Sequence, residues 1–305
     1  MIDSERWRRL MRSRAGSRLL GSRPYRAADT ARRFVSTSLQ STRDPGRFRD
    51  VETICIFVGH VKCGGTLIGA LLDAHPDAVL ADEIDVLRYL SAGFRREQIF
   101  DLLLKGSRRE ARKARMTARR LVPYSLAVPR QWQGRYEVLR VIGESRAGPT
   151  TRRLGREPWL LPRLYERMSG IRPRFVHVVR DPFDPIAAMI VRGKRSFTDA
   201  SSDYARQCRT LLELRERIDP EDLLTVRYED FVRGPQESLR RVCGFLGLEA
   251  SDDYLEACAS IVDPAFRPER RLVEWRPEQI DAVRRMIEQT PFLDRYAADG
   301  YGRDA

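Results

Sequence analysis

The most telling run in this chain is Val51-Glu-Thr-Ile-Cys-Ile-Phe-Val-Gly-His-Val-Lys-Cys-Gly-Gly-Thr-Leu-Ile-Gly-Ala-Leu-Leu72. Residues 53–58 are apolar and β-branched and short enough for one buried strand. A glycine-rich turn follows from Gly59 to Gly65, and the helical character of residues 66–72 is brought to an end by Pro76. A strand leading through glycines into a helix N-terminus gathers backbone N–H groups, and the helix dipole adds to their attraction for an anion. The layout is that of a phosphate-binding loop. A Walker A loop requires GxxxxGK followed by Ser or Thr; here Gly65 stands in the lysine position and the lysine comes three residues earlier, at Lys62. That displacement argues against an ordinary ATPase or kinase.

Outward from this run, residues 78–80, 138–142, 175–179 and 223–226 read as further short strands, each apolar and bounded by charge or glycine. Helical patterns cover residues 186–191, 200–218, 236–245, 252–261 and 278–288. Strand and helix in alternation predict a three-layer α/β/α fold with a central parallel sheet, as one P-loop-like domain from residue 51 to residue 305.

The chain has 305 residues, 42% hydrophobic and 32% charged, a globular composition that excludes a disordered or collagen-like chain. Its longest apolar run, residues 54–58, falls far short of the roughly 20 residues of a membrane span. No secretory h-region follows Met1, and five cysteines without CxxC spacing suggest neither a zinc site nor a disulfide framework. The expected setting is a reducing cytoplasm, with no metal. The net charge of +13 is uneven: residues 1–50 carry +8, residues 105–120 carry +7, and the remainder −2. A specific nucleic-acid-binding domain would show basicity across its folded part. Residues 1–50 therefore read as a basic, flexible arm, either a solvated tail or a contact to an acidic partner or membrane surface. Residues 91–135 read as a basic helical insertion, either an exposed helix or a lid that meets an anionic acceptor, including one tethered to a carrier.

Lys62-Cys-Gly-Gly-Thr-Leu67, with Leu71-Leu-Asp-Ala-His-Pro76 after it, resembles the 5′-phosphosulfate loop of sulfotransferases, usually Pro-Lys/Arg-Ser-Gly-Thr-Thr/Ser. These enzymes use 3′-phosphoadenosine-5′-phosphosulfate (PAPS) as donor and release the bisphosphate PAP. The resemblance recurs, in order, at four further places. They are Ile142-Gly-Glu-Ser145 with Thr150-Thr151, Val178-Val-Arg-Asp-Pro182 through Met189, Val226-Arg-Tyr-Glu-Asp-Phe231, and Glu274-Trp-Arg-Pro-Glu278 through Gly300-Tyr301. Together they identify the chain as similar to bacterial sulfotransferases.

The resemblance implies roles residue by residue. Lys62 would neutralise charge at the bridging oxygen as the S–O bond breaks, and the loop from Lys62 through Cys63, Gly64, Gly65, Thr66 and Leu67 would hold the 5′-phosphate. Arg180 and Arg192, with Ala188 between them and Arg271 further on, fall at positions the family gives to the 3′-phosphate, and Tyr228 at the position near the adenine. Glu83 aligns with the general base of one branch, with Asp82 or Asp85 as alternatives; His60, inside the loop, reads as structural support. The pattern also departs from the family. Val61 replaces a proline, Cys63 a serine, Gly65 a threonine, Ala188 a serine, and Ser145 a common lysine beside Arg146. The function implied is sulfuryl transfer from PAPS to a hydroxyl of a small-molecule, carbohydrate or lipid acceptor. The alternatives are a non-catalytic homologue that binds adenosine bisphosphates or a partner, and a P-loop kinase.

Overall fold

The protein is described by a computed structural model over residues 23–44, 46–116, 124–263 and 269–298. Among these residues one sheet of five parallel strands, in the order β2-β3-β1-β4-β5, forms the centre. The strands are β1 Thr53–Gly59, β2 Ala78–Ala81, β3 Val141–Glu144, β4 Arg172–Val179 and β5 Leu223–Arg227. The helices are α1 Arg23–Arg43, α2 Gly65–Leu72, α3 Val86–Ser91, α4 Arg96–Ala111, α5 Ala147–Arg156, α6 Leu160–Arg167 and α7 Phe183–Val191. They continue as α8 Phe197–Arg217, α9 Tyr228–Arg233, α10 Pro235–Leu246, α11 Asp252–Ala259, α12 Pro277–Glu288 and α13 Arg295–Ala298.

Side chains of β1 alternate between two cores. Ile54, Ile56 and Val58 pack with Ile99 and Phe100 of α4, Leu160 of α6 and Leu211 of α8. Cys55 and Phe57 pack with Ile68 and Leu71 of α2, Leu239 of α10 and Leu255 of α11. Helices cover both faces, which is why β1 is an unbroken apolar run rather than an alternating one. The three-layer α/β/α architecture expected from the sequence is the one observed.

Three local readings change. The third strand lies at Val141–Glu144 instead of residues 138–142, and Val138 is exposed. Gly143 carries the strand onward, paired with Cys55 of β1 and Leu80 of β2. A Cβ at this position would sit 2.0 Å from the Cys55 carbonyl oxygen, so only glycine permits the close approach. The segment read as a flexible arm forms, over residues 23–43, the helix α1 lying on α4. Thr37 is buried there, Phe34 meets Phe94 edge-on at 5.1 Å, and the Gln98 amide donates to Thr37 Oγ1 at 3.2 Å. Residues 1–22 lie outside the described residues.

The stretch read as a basic insertion divides in two. The first turns of α4 are core, with Ile99, Phe100, Leu103 and Leu104 buried, and the cations gather after them. Arg108, Arg112 and Lys113 are exposed, whereas Arg115 turns inward and pairs with the buried Asp73. Arg119 and Arg120 lie outside the described residues.

Candidate active site

The carboxyl ends of β1, β2, β3 and β4 open on one cavity of about 630 Å³. Open parallel sheets bind ligands at this edge, where neighbouring strands leave in opposite directions. Gly64 precedes α2 at φ +103°, and a Cβ there would fall within the Tyr228 ring, 2.1 Å from its nearest carbon. Glycine thus lets the aromatic ring lie directly on the loop. No side chain caps α2; the Leu67 N–H turns back to the Gly64 carbonyl at 3.1 Å, and Gly65 and Thr66, which open the helix, line the cavity. Lys62, at φ +70°, is exposed on the rim. Burial pushes the Cys63 thiol up to about 11, which keeps it protonated and unreactive near neutrality.

Arg180 leaves β4 and donates to the Lys62 carbonyl at 3.1 Å, with its guanidinium 4.7 Å from the centre of the Tyr228 ring. It also meets the Glu269 carboxylate at 2.6 Å, and Arg192, at the end of α7, meets the other oxygen of that carboxylate at 2.5 Å. Two guanidiniums so placed are a ready seat for a divalent anion. Glu269 opens a short 3₁₀ segment, Glu269–Leu272, held against α7 by ion pairs of Arg270 with Asp181 and Asp184. Trp275 locks the same segment: its indole N–H donates to the Arg270 carbonyl at 2.9 Å, and its ring meets Phe183 edge-on.

Across the cavity, the loop after β2 carries the acids. Asp82 accepts hydrogen bonds from the hydroxyls of Thr66 (3.2 Å) and Ser145 (3.1 Å), and burial raises its pKa. Glu83 stands at the rim, largely exposed, paired with Arg109 at 2.7 Å. Behind them, Glu110 of α4 accepts from the backbone N–H of Asp82 (3.0 Å) and of Glu83 (3.1 Å) and meets Arg115 at 3.4 Å. Burial pushes the Glu110 carboxyl up to about 7. The residues after β3 brace the same edge: Thr151 Oγ1 accepts from the Gly59 N–H at 2.9 Å.

Of the residues singled out from the sequence, Lys62, Cys63, Gly64, Gly65, Thr66, Leu67, Glu83, Arg180, Arg192 and Tyr228 all line this cavity. Ala188 and Arg271 do not. Ala188 is fully buried in α7, where its carbonyl accepts the Arg192 N–H at 3.0 Å. Arg271 is exposed, because a 3₁₀ turn that points Glu269 inward sends Arg271 elsewhere. His60 reaches the cavity wall but is buried, stacked on Tyr204 at 3.7 Å and 3.3 Å from the Cys208 sulfur; burial holds its pKa down. Asp85, an alternative for the base, caps α3 and pairs with Arg153 at 3.0 Å. Sequence reasoning missed Glu269 and Glu110. Glu110 had a signal, as the only acid in a basic stretch; Glu269 had none apart from its nearness to Trp275.

A family model described as "Sulfotransferase family" matches residues 55–253. The chain belongs to the sulfotransferase family. This sulfotransferase is 28% identical over 148 residues to the omega-hydroxy-beta-dihydromenaquinone-9 sulfotransferase Stf3 of Mycobacterium bovis, and equally to that of Mycobacterium tuberculosis. The match covers 43% of this chain and 36% of each relative, so the chain spans well under half of their length. Its fold is that of the sulfotransferase domain of the Synechococcus PCC 7002 olefin synthase, at TM-score 0.51 and 18% identity, over 79% of this chain and 94% of that one.

Proposed function

We propose that this sulfotransferase moves a sulfuryl group from PAPS to an acceptor hydroxyl. The observation that carries the reading is the double seat for anions in one cavity: the amides of the α2 N-terminus with Lys62 at one end, and Arg180 with Arg192 at the other. A nucleotide with phosphates on both its 3′ and 5′ oxygens needs two such seats, whereas ATP needs one. That the two arginines already converge on a carboxylate supports the fit, since the Glu269 oxygens stand in for anionic oxygens. Tyr228, between the two seats, presents a ring face suited to the base.

When bound, the donor supplies an activated sulfuryl group; the chain supplies position and charge. Lys62 offsets the charge that grows on the bridging oxygen. Glu83 takes the proton from the acceptor hydroxyl as the new O–S bond forms, and the electron pair of the broken S–O bond leaves with the phosphate. Asp82 serves to hold Thr66 and Ser145 in place. The acceptor is a small-molecule, carbohydrate or lipid hydroxyl, and the lipid case gains support from the substrate named for the Stf3 relatives. No helix among the described residues is long and apolar enough to cross a membrane. We place the reaction in the cytoplasm, with any membrane contact peripheral and through the basic N-terminal segment.

Calorimetric titration with PAP, and with ATP with and without Mg²⁺, tests this directly. Micromolar binding of PAP that is lost in Arg180→Ala and not matched by ATP is expected. Absence of PAP binding would leave the family assignment standing and remove the enzymatic reading; a preference for ATP with Mg²⁺ would favour a kinase.

A further inference from the structure

Behind Glu83, on the side away from the phosphate loop, lies a second recess of about 340 Å³ between α1 and α4. Arg32 and Arg33 come to it from α1, Lys105 and Arg109 from α4, and Ile84 and Leu102 give it an apolar lining. No acidic side chain lines it among the described residues. The carboxylates nearby are shared. Asp29 serves Arg32 (3.5 Å) and Arg33 (2.9 Å), Asp101 serves Lys105 (2.5 Å) and Arg47 (3.3 Å), and Glu83 serves Arg109 (2.7 Å). The recess thus has four lining cations, and the three carboxylates that answer them stand outside its lining. Two of these are shared further, with Arg88 (3.8 Å) and Arg47, which leaves a concave, partly apolar surface with a positive excess.

We infer that this recess seats an anionic group of the acceptor, so that the acceptor is a hydroxyl compound carrying a phosphate, sulfate or carboxylate beside an apolar body. The inference rests on the sulfuryl-transfer reading for its word "acceptor", and on the recess alone for the anion. Arg109 joins the two cavities: it lines the recess, and its guanidinium holds a Glu83 oxygen at the rim of the donor cavity. An anion seated among Arg32, Lys105 and Arg109 competes with Glu83 for Arg109. Competition leaves the Glu83 carboxylate open to the hydroxyl of the same molecule. Charge recognition and apolar contact together are what four cations and an aliphatic lining provide. Of the basic stretch at residues 91–135, read from the sequence as an exposed helix or a lid over an anionic acceptor, Lys105 and Arg109 line the recess, whereas Arg115 is committed to Asp73 and neither it nor Arg112 lines it.

The probe is n-hexyl phosphate, titrated calorimetrically into the full chain, with inorganic phosphate as a parallel arm. Hexyl phosphate should bind saturably and about tenfold or more tighter than inorganic phosphate. Binding should persist in Arg180→Ala, whose donor seat is damaged. In Arg32→Glu/Lys105→Glu it should weaken about tenfold or more, while PAP affinity stays within about twofold. The Arg32 side chain is 79% exposed and that of Lys105 49%, so the fold should tolerate the changes, and the milder Arg32→Gln/Lys105→Gln pair should weaken binding part-way. Hexyl phosphate that is lost in Arg180→Ala and kept in the double variant binds the donor cavity, which overturns the inference. So does the absence of saturable binding, or equal affinity for inorganic phosphate. If PAP fails to bind while hexyl phosphate follows the expected pattern, the sulfuryl-transfer reading falls and the anionic recess remains.

Discussion

At Glu269 one carboxylate is held by two guanidiniums, Arg180 at 2.6 Å and Arg192 at 2.5 Å, inside the cavity proposed for the donor. A 3′-phosphate must share those guanidiniums with it or displace it. Glu269→Gln keeps the shape and removes the competing charge, so PAP affinity should rise about tenfold in calorimetry, the equivalent of roughly 1.4 kcal/mol. A weakened affinity would mean that the carboxylate chiefly orients the two arginines. At the other end of the cavity, Glu83→Gln should lower kcat by about 10²- to 10⁴-fold with little change in KM for the donor. A Glu83 that is only a rim charge would leave kcat within about twofold, and Asp82→Asn would then be the variant that abolishes turnover.

Elements place these residues, and α4 does so with its least helical-looking end. Arg115, just beyond it, forms a buried ion pair with Asp73 and a hydrogen bond of 2.9 Å to the Leu80 carbonyl. Ser107, the Leu80 N–H and the Gly134 N–H complete the shell of Asp73, at 2.7 Å, 2.7 Å and 3.0 Å. Removing the guanidinium leaves a buried charge without its ion-pair partner. Arg115→Ala should therefore cost about 3–5 kcal/mol in urea unfolding, while the exposed Arg112→Ala should stay within about 0.5 kcal/mol. Equal effects of the two would refute the structural distinction between them. The same element shows why the sequence misled. A count of cations along residues 105–120 describes a uniform basic surface, but the chain leaves α4 through a left-handed turn at Ala114 (φ +49°) and Arg115 (φ +45°), and only packing determines that this turn carries Arg115 inward to Asp73.

For the molecule as a whole, buried titratable groups set the pH range of stability. Burial pushes His60 down, and His177 down to about 3, so the stability they confer grows as pH rises and is complete above their ordinary value of 6.5. Burial pushes Asp181 up to about 6, Glu110 to about 7 and Glu144 to about 8. Each of these acids holds its proton in the folded state after the unfolded chain has lost it, so each costs stability as pH rises towards its raised value. Below 6.5 the two sets oppose one another; above it only Glu110 and Glu144 still act. From about pH 4.5 upward the three acids outweigh the two histidines, so the urea midpoint should fall between about pH 5 and pH 8, with a flatter alkaline limb in Glu144→Gln. A midpoint that climbs steadily to pH 8 would contradict this assignment.

Taken alone, the sequence determined the three-layer sheet, the phosphate loop and the order of the family's segments. These rest on local causes: both faces of β1 are buried, so residues 53–58 had to be continuously apolar, and the turn before α2 had to be glycine-rich to admit Tyr228. Arg180, Arg192 and Tyr228 were singled out through the resemblance to sulfotransferases, whose motifs fall at these strand and helix ends. Tertiary structure alone decided that α1 packs on α4, that β3 runs through Gly143, that Arg271 points away and Glu269 inward, and that Glu110 backs the acid loop. In each case the deciding partner lies distant in the chain, 77 residues separating Arg192 from Glu269 and 28 separating Asp82 from Glu110. A pairing of that kind leaves no local period to read; its geometry exists only once the sheet has brought the segments together.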